Sequence, residues 1–254
     1  MLHLHNEQAA LDCRRTPWDE RVFNFACAEI TSFQAENEVA GLKILDQFEG
    51  WAQAQGVQFA YGRFESSRLV KQVMPQAGFY FAEASYRIRH HKLQGSESFD
   101  RLIRPGPMLE PAGFEDHDAI RKILAMDFKH GRMHEDPWIE PEISSERYSN
   151  WLTDLVTQQH EILVYRLKGE VIGLHIQRTE DGKVDLVLTG VRRSHALLGV
   201  SLWAEVLRLN RLRSVTEART LISAANISII NLYRRFDFQF EVLLLGFHKR
   251  WVRG

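Results

Sequence analysis

Two prolines flank a glycine in Arg104-Pro105-Gly106-Pro107-Met108. Proline lacks the amide hydrogen and fixes φ, so this stretch cannot lie inside a helix or a central strand. With Gln94-Gly-Ser-Glu-Ser just before it, the run from Leu93 to Met108 reads as a linker. It cuts the chain into residues 1–103 and 104–254, both of ordinary domain size. A chain of 254 residues, 44% hydrophobic, buries roughly three-quarters of its unfolded surface and needs no disulfide or metal staple. The two cysteines, Cys13 and Cys27, match neither a disulfide framework nor a zinc spacing and read as reduced thiols.

Lys and Arg number 32 against 33 Asp and Glu, a net charge of −1. A protein devoted to nucleic-acid backbones usually carries a basic excess, so no nucleic-acid partner is expected. No run of eighteen apolar residues occurs, and Met1-Leu-His-Leu-His lacks the basic-then-apolar order of a secretory signal. The expectation is a cytoplasmic protein with no membrane partner.

Periodicity fills in the elements. Phe23, Phe25 and Cys27 to Ile30 read as a strand, while Val39, Leu42, Leu45, Phe48 and Ala52 mark an amphipathic helix ended by Gly56. A strand at 57–61, a helix at 66–75 and an aromatic strand at 79–88 follow. Beyond the linker come a helix at 115–128 and a second carrying Tyr148, Trp151, Leu152, Leu155 and Val156, with Ser144 or Ser145 as its cap. Strands at 162–167, 171–177 and 184–188 are joined by Lys168-Gly-Glu and Glu180-Asp-Gly, turns that link antiparallel neighbours. A helix (200–212), a strand (219–223), a helix (227–235) and a strand (238–249) close the chain. The junction Ala77-Gly-Phe-Tyr-Phe and its long strand echo Phe236-Asp-Phe-Gln-Phe and the last strand.

Gly190-Val191, a polar loop, and Gly199-Val200-Ser201 opening a helix make a place where backbone amides can hold a phosphate. Arg192, Arg193 and His195 add positive charge, though a solvated loop carries such residues too. No P-loop and no dinucleotide fingerprint occurs. His130-x-x-x-His134-Glu135 lacks the zincin order, and Pro137 breaks the helix that order needs, so no metal is expected.

Asn226 opening a helix, Tyr233 seven residues later and Phe238 just beyond resemble the GNAT acyltransferase superfamily. The resemblance implies an α+β GNAT fold, with a central mixed, mostly antiparallel sheet flanked by helices, and acetyl-CoA as co-substrate. It implies cofactor binding at Thr189, Gly190, Val191, Gly199, Val200, Ser201 and Asn226, and Tyr233 as the acid that protonates the leaving thiolate. Ala196 and Leu197 stand where the family's phosphate loop carries Arg or Gln and glycine, and Asp237 replaces a glycine before Phe238.

Thr16-Pro-Trp18-Asp19, Asp136-Pro137-Trp138 with Tyr148-Ser-Asn-Trp151, and Phe247-His248-Lys-Arg-Trp251 resemble dTDP-fucosamine acetyltransferase and related sugar N-acyltransferases. That subgroup implies a reduced GNAT-like N-terminal half, a homodimer, and a small-molecule amine acceptor on a nucleotide-linked sugar. An amino acid, polyamine or protein amine as acceptor, and a non-catalytic binding module, are the alternatives. An amine must lose a proton to attack a thioester. Asp185, placed by strand alternation opposite Val184, Leu186 and Leu188, and His175 are the candidate bases. His134, Trp138 and His175 are the candidate substrate contacts.

Overall fold

The computed structural model describes residues 1–251. In chain order its elements are β1 (Leu2–Asn6), β2 (Ala9–Arg15), α1 (Pro17–Phe23), β3 (Ala26–Ala35), α2 (Glu38–Ala54), β4 (Val57–Glu65), α3 (Arg68–Gln76) and β5 (Tyr80–His90). They continue as β6 (Met108–Pro111), α4 (His117–Asp127), α5 (Pro141–Thr157), β7 (Glu161–Leu167), β8 (Glu170–Glu180) and β9 (Lys183–Val191). The last are α6 (Gly199–Leu212), β10 (Glu217–Ser223), α7 (Ile227–Arg235) and β11 (Gln239–Arg250).

Contacts gather these elements into two units that do not follow linear order. Among the described residues, one holds 1–85, 131–143 and 242–251; the other holds 86–130 and 144–241. Strands β5 and β11 each run from one unit into the other. No helix of the described residues is long and apolar enough to cross a membrane.

In the first unit the strands lie in the order β1-β2-β3-β4-β11-β5. β1, β2 and β3 are antiparallel neighbours; β3 then runs parallel to β4, paired at five positions from Ala26–Val57 to Ile30–Gly62. Only Glu36 and Asn37 link β3 to α2, and the Asn37 side chain caps that helix by accepting from the Ala40 amide. The core is Leu11, Ile30, Ile44, Phe48, Val73 and Met74 with their neighbours, joined by Leu245 and Phe247 from β11.

In the second unit the order is β5-β10-β9-β8-β7-β6. Two-residue turns close its hairpins: Lys168-Gly169 and Asp181-Gly182 all take positive φ, the conformation that matches the right-handed strand twist. Two apolar layers cover the two faces. One packs Val184, Leu186 and Ala218 under α6 and α7; the other packs Leu174, Ile176 and Leu188 under α4 and α5.

Several expectations are corrected. The Leu93–Met108 stretch is not a bare linker, because Leu93–Leu102 forms a 3-10 helix with Leu93 fully buried. The Pro105-Gly106-Pro107 turn leads into β6 at the sheet edge, where proline is tolerated. Phe23 ends a helix rather than a strand, since Pro17 occupies the first helical turn and Asn24 ends it at φ 58°. α5 opens at Pro141, ahead of the expected Ser144 or Ser145 cap, as proline's fixed φ favours a first helical position. Val184, Leu186 and Leu188 do not share a face. The β8–β9 register shifts where Ile176 meets Leu188 and Gln177 meets Leu186, and the extra residue, Val187, turns the strand over.

Candidate functional site

Strand β9 pairs with β10 in parallel at only three positions, Lys183–Glu217, Val184–Ala218 and Asp185–Arg219. Beyond that rung the ladder ends, although β9 continues to Val191 and β10 to Ser223. One side chain takes over where the backbone bonds stop: Thr220 Oγ1 donates to the Leu186 carbonyl at 2.7 Å. The bulge at Val187 falls at the same level. The second unit therefore carries a fork of two diverging parallel strands with unpaired edges, able to receive an extended polar ligand.

The loop from Arg192 to Leu198 connects β9 to α6. Leu198 supplies no side-chain cap to α6; instead a 3-10 turn, Arg193–Leu198, runs straight into the helix, and the Gly199 amide donates to the Ala196 carbonyl, so this expected phosphate donor is engaged by its own chain. Ser201 offers only its backbone there, since its hydroxyl is bonded to the Tyr165 hydroxyl and accepts from the Arg104 amide, both at 2.8 Å. Of the basic residues in the loop, Arg192 is paired with Glu170, and the Arg193 amide donates to Asp127 at 3.1 Å. Leu197, in the position of a family glycine, is 97% exposed.

The Phe128 ring packs over Gly190. A Cβ on it would lie 2.9 Å from the Phe128 ring, and one on Gly173 would lie 2.8 Å from the Gly190 carbonyl oxygen. The backbones of β8 and β9 therefore approach too closely at Gly173 for a side chain.

Tyr233 comes to the fork from α7. Asn226 starts that helix by accepting from the Ile229 amide at 3.2 Å, and the tyrosine follows on the second turn. It is 3% exposed, edge-on to Trp203 and Phe238 with centroids 5.9 and 4.7 Å away. Burial pushes its hydroxyl up to about 12, against the opposing pull of the Trp203 and Thr220 side chains. Asp237, in the family's glycine position, takes φ 56°, a conformation aspartate tolerates better than most residues.

Two expected roles change. Asp185 is held by the Arg219 guanidinium through Nε and Nη2, the latter at 3.0 Å, so its carboxylate is engaged as a strut at the fork rather than aimed as a base. His175 cannot touch substrate: it is 0% exposed, with Nδ1 against Thr189 Oγ1 and Nε2 against Gln177 Oε1, each at 2.8 Å. Burial lowers its pKa to about 4.

The structure thus brings Thr189, Gly190, Val191, Gly199, Val200, Ser201, Asn226, Tyr233, Asp185 and His175 into the second unit. His134 and Trp138 lie in segment 131–143 of the first. There Asp136 accepts from His248 Nδ1 at 2.6 Å, from the Tyr80 hydroxyl and from the Trp138 amide. Arg250 donates to the Trp138 carbonyl at 2.6 Å, and the indole is 65% exposed. Half-buried His134 belongs to the same segment. Sequence reading missed Arg219 and Gln177; a basic residue one strand from Asp185 was the only visible signal.

No family model matches the chain, and no curated protein matches its sequence. Solved structures do. A GCN5-related N-acetyltransferase from Sphaerobacter thermophilus superposes with a TM-score of 0.68 at 16% identity, covering 97% of this chain and 78% of that one. A tandem GNAT protein from the clavulanic acid biosynthesis pathway gives 0.62 at 12%, covering 97% and 80%. A GCN5-related glucosamine N-acetyltransferase region of a fungal multi-domain β-N-acetylglucosaminidase gives 0.67 at 11%, covering 94% of this chain and 31% of that one. The chain has the GNAT fold.

Proposed function

We propose that this chain is an acetyl-CoA-dependent N-acetyltransferase acting on a primary amine. The observation that carries the reading is the fork: β9 and β10 part after Asp185–Arg219, in the unit that also holds the start of α6 and Tyr233. The backbone of Gly199, Val200 and Ser201 holds the donor's pyrophosphate, the Gly199 amide exchanging its bond to the Ala196 carbonyl for one to phosphate, and Thr189, Gly190 and Val191 line its chain. Asn226 sets the start of the helix that carries Tyr233.

Attack of the amine nitrogen forms the new C–N bond and breaks C–S, expelling a thiolate whose ordinary pKa is roughly 8 to 9. Tyr233 keeps its proton at neutral pH, and the burial that holds it there also disfavours a bare thiolate. The phenol passes its proton to sulfur as the C–S bond breaks, and the proton shed by the nitrogen returns through solvent to the phenolate, so that amine and thioester give amide and thiol.

Residues 104–254 are proposed as the catalytic half and 1–103 as a reduced copy. The two-residue link that follows β3 supports that division, because it leaves no room for a phosphate loop, although β3 and β4 also run on past their last shared pair, Ile30–Gly62. The favoured acceptor is an aminosugar nucleotide, in the manner of dTDP-fucosamine acetyltransferase and related enzymes. The sequence resemblance supports it, as does a structural neighbour named as a glucosamine N-acetyltransferase. A cytoplasmic homodimer completes the proposal.

Calorimetry with acetyl-CoA, then a panel of aminosugar nucleotides, amino acids, polyamines and peptides assayed by thiol release, tests the reading. Binding and turnover with an aminosugar nucleotide are expected. No binding at millimolar acetyl-CoA overturns the acetyltransferase reading, turnover only with another amine overturns the acceptor, and binding without turnover identifies a non-catalytic module.

A further inference from the structure

The hydrogen-bond directions around His175 can be worked out one atom at a time. Asn210 Nδ2 faces the Val206 carbonyl at 2.9 Å and Gln177 at 2.7 Å. An atom bonded to a backbone carbonyl has to be a donor, so the Gln177 atom it also meets is the amide oxygen. The other end of Gln177 faces the Glu161 carboxylate at 2.7 Å and is the amide nitrogen. Arg213, 2.7 Å from the same carboxylate, and Gln177 itself hold Glu161 below its ordinary range, so it is an acceptor only.

With the Gln177 oxygen fixed, His175 Nε2 has to donate to it. A neutral imidazole has one N–H, so Nδ1 carries a lone pair, and the hydroxyl of Thr189 spends its single hydrogen on that lone pair. What remains on Thr189 Oγ1 is acceptor capacity alone. Thr189 is half-buried on the stretch of β9 that has already parted from β10.

We propose that Thr189 Oγ1 is a dedicated acceptor for an N–H group of the ligand in the fork, and that Gln177 and His175 are positioning residues that hold it in that sense. The inference rests on the acetyltransferase reading, which supplies two such groups: an amide N–H of the acyl donor's chain and the amine of the acceptor. Either is recognised by the same lone pair, whereas a ligand carbonyl or phosphate oxygen at this point meets no donor.

The test uses the full chain. Nitrogen-15 spectra of labelled histidine, taken without ligand, are expected to show His175 neutral at pH 7 with its proton on Nε2; a proton on Nδ1 overturns the proposal. Thr189→Val, nearly isosteric, is expected to weaken either the acetyl-CoA Kd or the amine KM about tenfold, the value of one hydrogen bond. The parameter that moves identifies which N–H is bound. Thr189→Ser restores it to within about twofold, and Gln177→Leu moves the same parameter together with the His175 tautomer. An active protein in which Thr189→Val changes neither Kd nor KM overturns the inference. Absence of acetyl-CoA binding by the unsubstituted chain overturns the underlying reading instead and leaves the His175 spectrum as it was.

Discussion

Asp185 and Arg219 face each other across the last rung shared by β9 and β10, and the guanidinium grips the carboxylate through two nitrogens. Both side chains are more than a third exposed, so solvent screens the pair. Asp185→Asn is expected to cost no more than about 1 kcal/mol in urea unfolding and to leave kcat within about threefold of the original, less than loss of a general base produces. A hundredfold fall in kcat at unchanged acetyl-CoA affinity would instead make Asp185 the base.

Tyr233→Phe keeps the ring between Trp203 and Phe238 and removes only the hydroxyl. Turnover is expected to fall at least about tenfold, the low end for loss of a positioned acid, with the acetyl-CoA Kd unchanged in calorimetry. Because the phenol is raised to about 12, its ionisation should produce no alkaline loss of kcat up to about pH 10. Unchanged turnover in the variant removes Tyr233 from the mechanism.

Stability should fall on acidification. His90, His160, His175 and His248 all have pKa values lowered by burial. The unfolded chain takes up their protons near pH 6.5, while the folded chain resists, so protonation favours unfolding below that point. His175, which holds out to about 4, contributes up to about 3 kcal/mol across that window. Urea midpoints measured from pH 7.5 to 4.5 are expected to drop steadily, and a flat profile would contradict the enclosed geometry of these rings.

Asn226→Ala removes the cap of α7 and is expected to cost about 1 kcal/mol, with Asn226→Ser recovering most of it. Tyr233 sits two turns into the same short helix, so kcat should fall in the alanine variant and return in the serine variant. Thermal melts and initial rates on the same samples check both.

What could be read from the sequence was local. The bounds of α7 follow from Asn226 and the apolar spacing after it, and the β7–β8–β9 meander follows from Lys168-Gly169 and Asp181-Gly182. The β1–β2 hairpin escaped notice although Leu2-His-Leu-His alternates with period two, because its pairing with residues 9–15 is a tertiary fact. The bulge at Val187 was invisible for a physical reason: one inserted residue changes no composition but reverses every later side chain on the strand. Tyr233 is proposed from motif spacing, whereas the engagement of Asp185 and the enclosure of His175 depend on Arg219, Gln177 and Asn210, which only the folded sheet brings near.

The two-residue link of Glu36 and Asn37 between β3 and α2 has a bearing on stoichiometry. A chain made of two similar halves suggests two equivalents of donor per molecule. On the proposed reading, a link too short for a phosphate cradle leaves the first half without a donor site, and a titration is expected to saturate at one equivalent per chain.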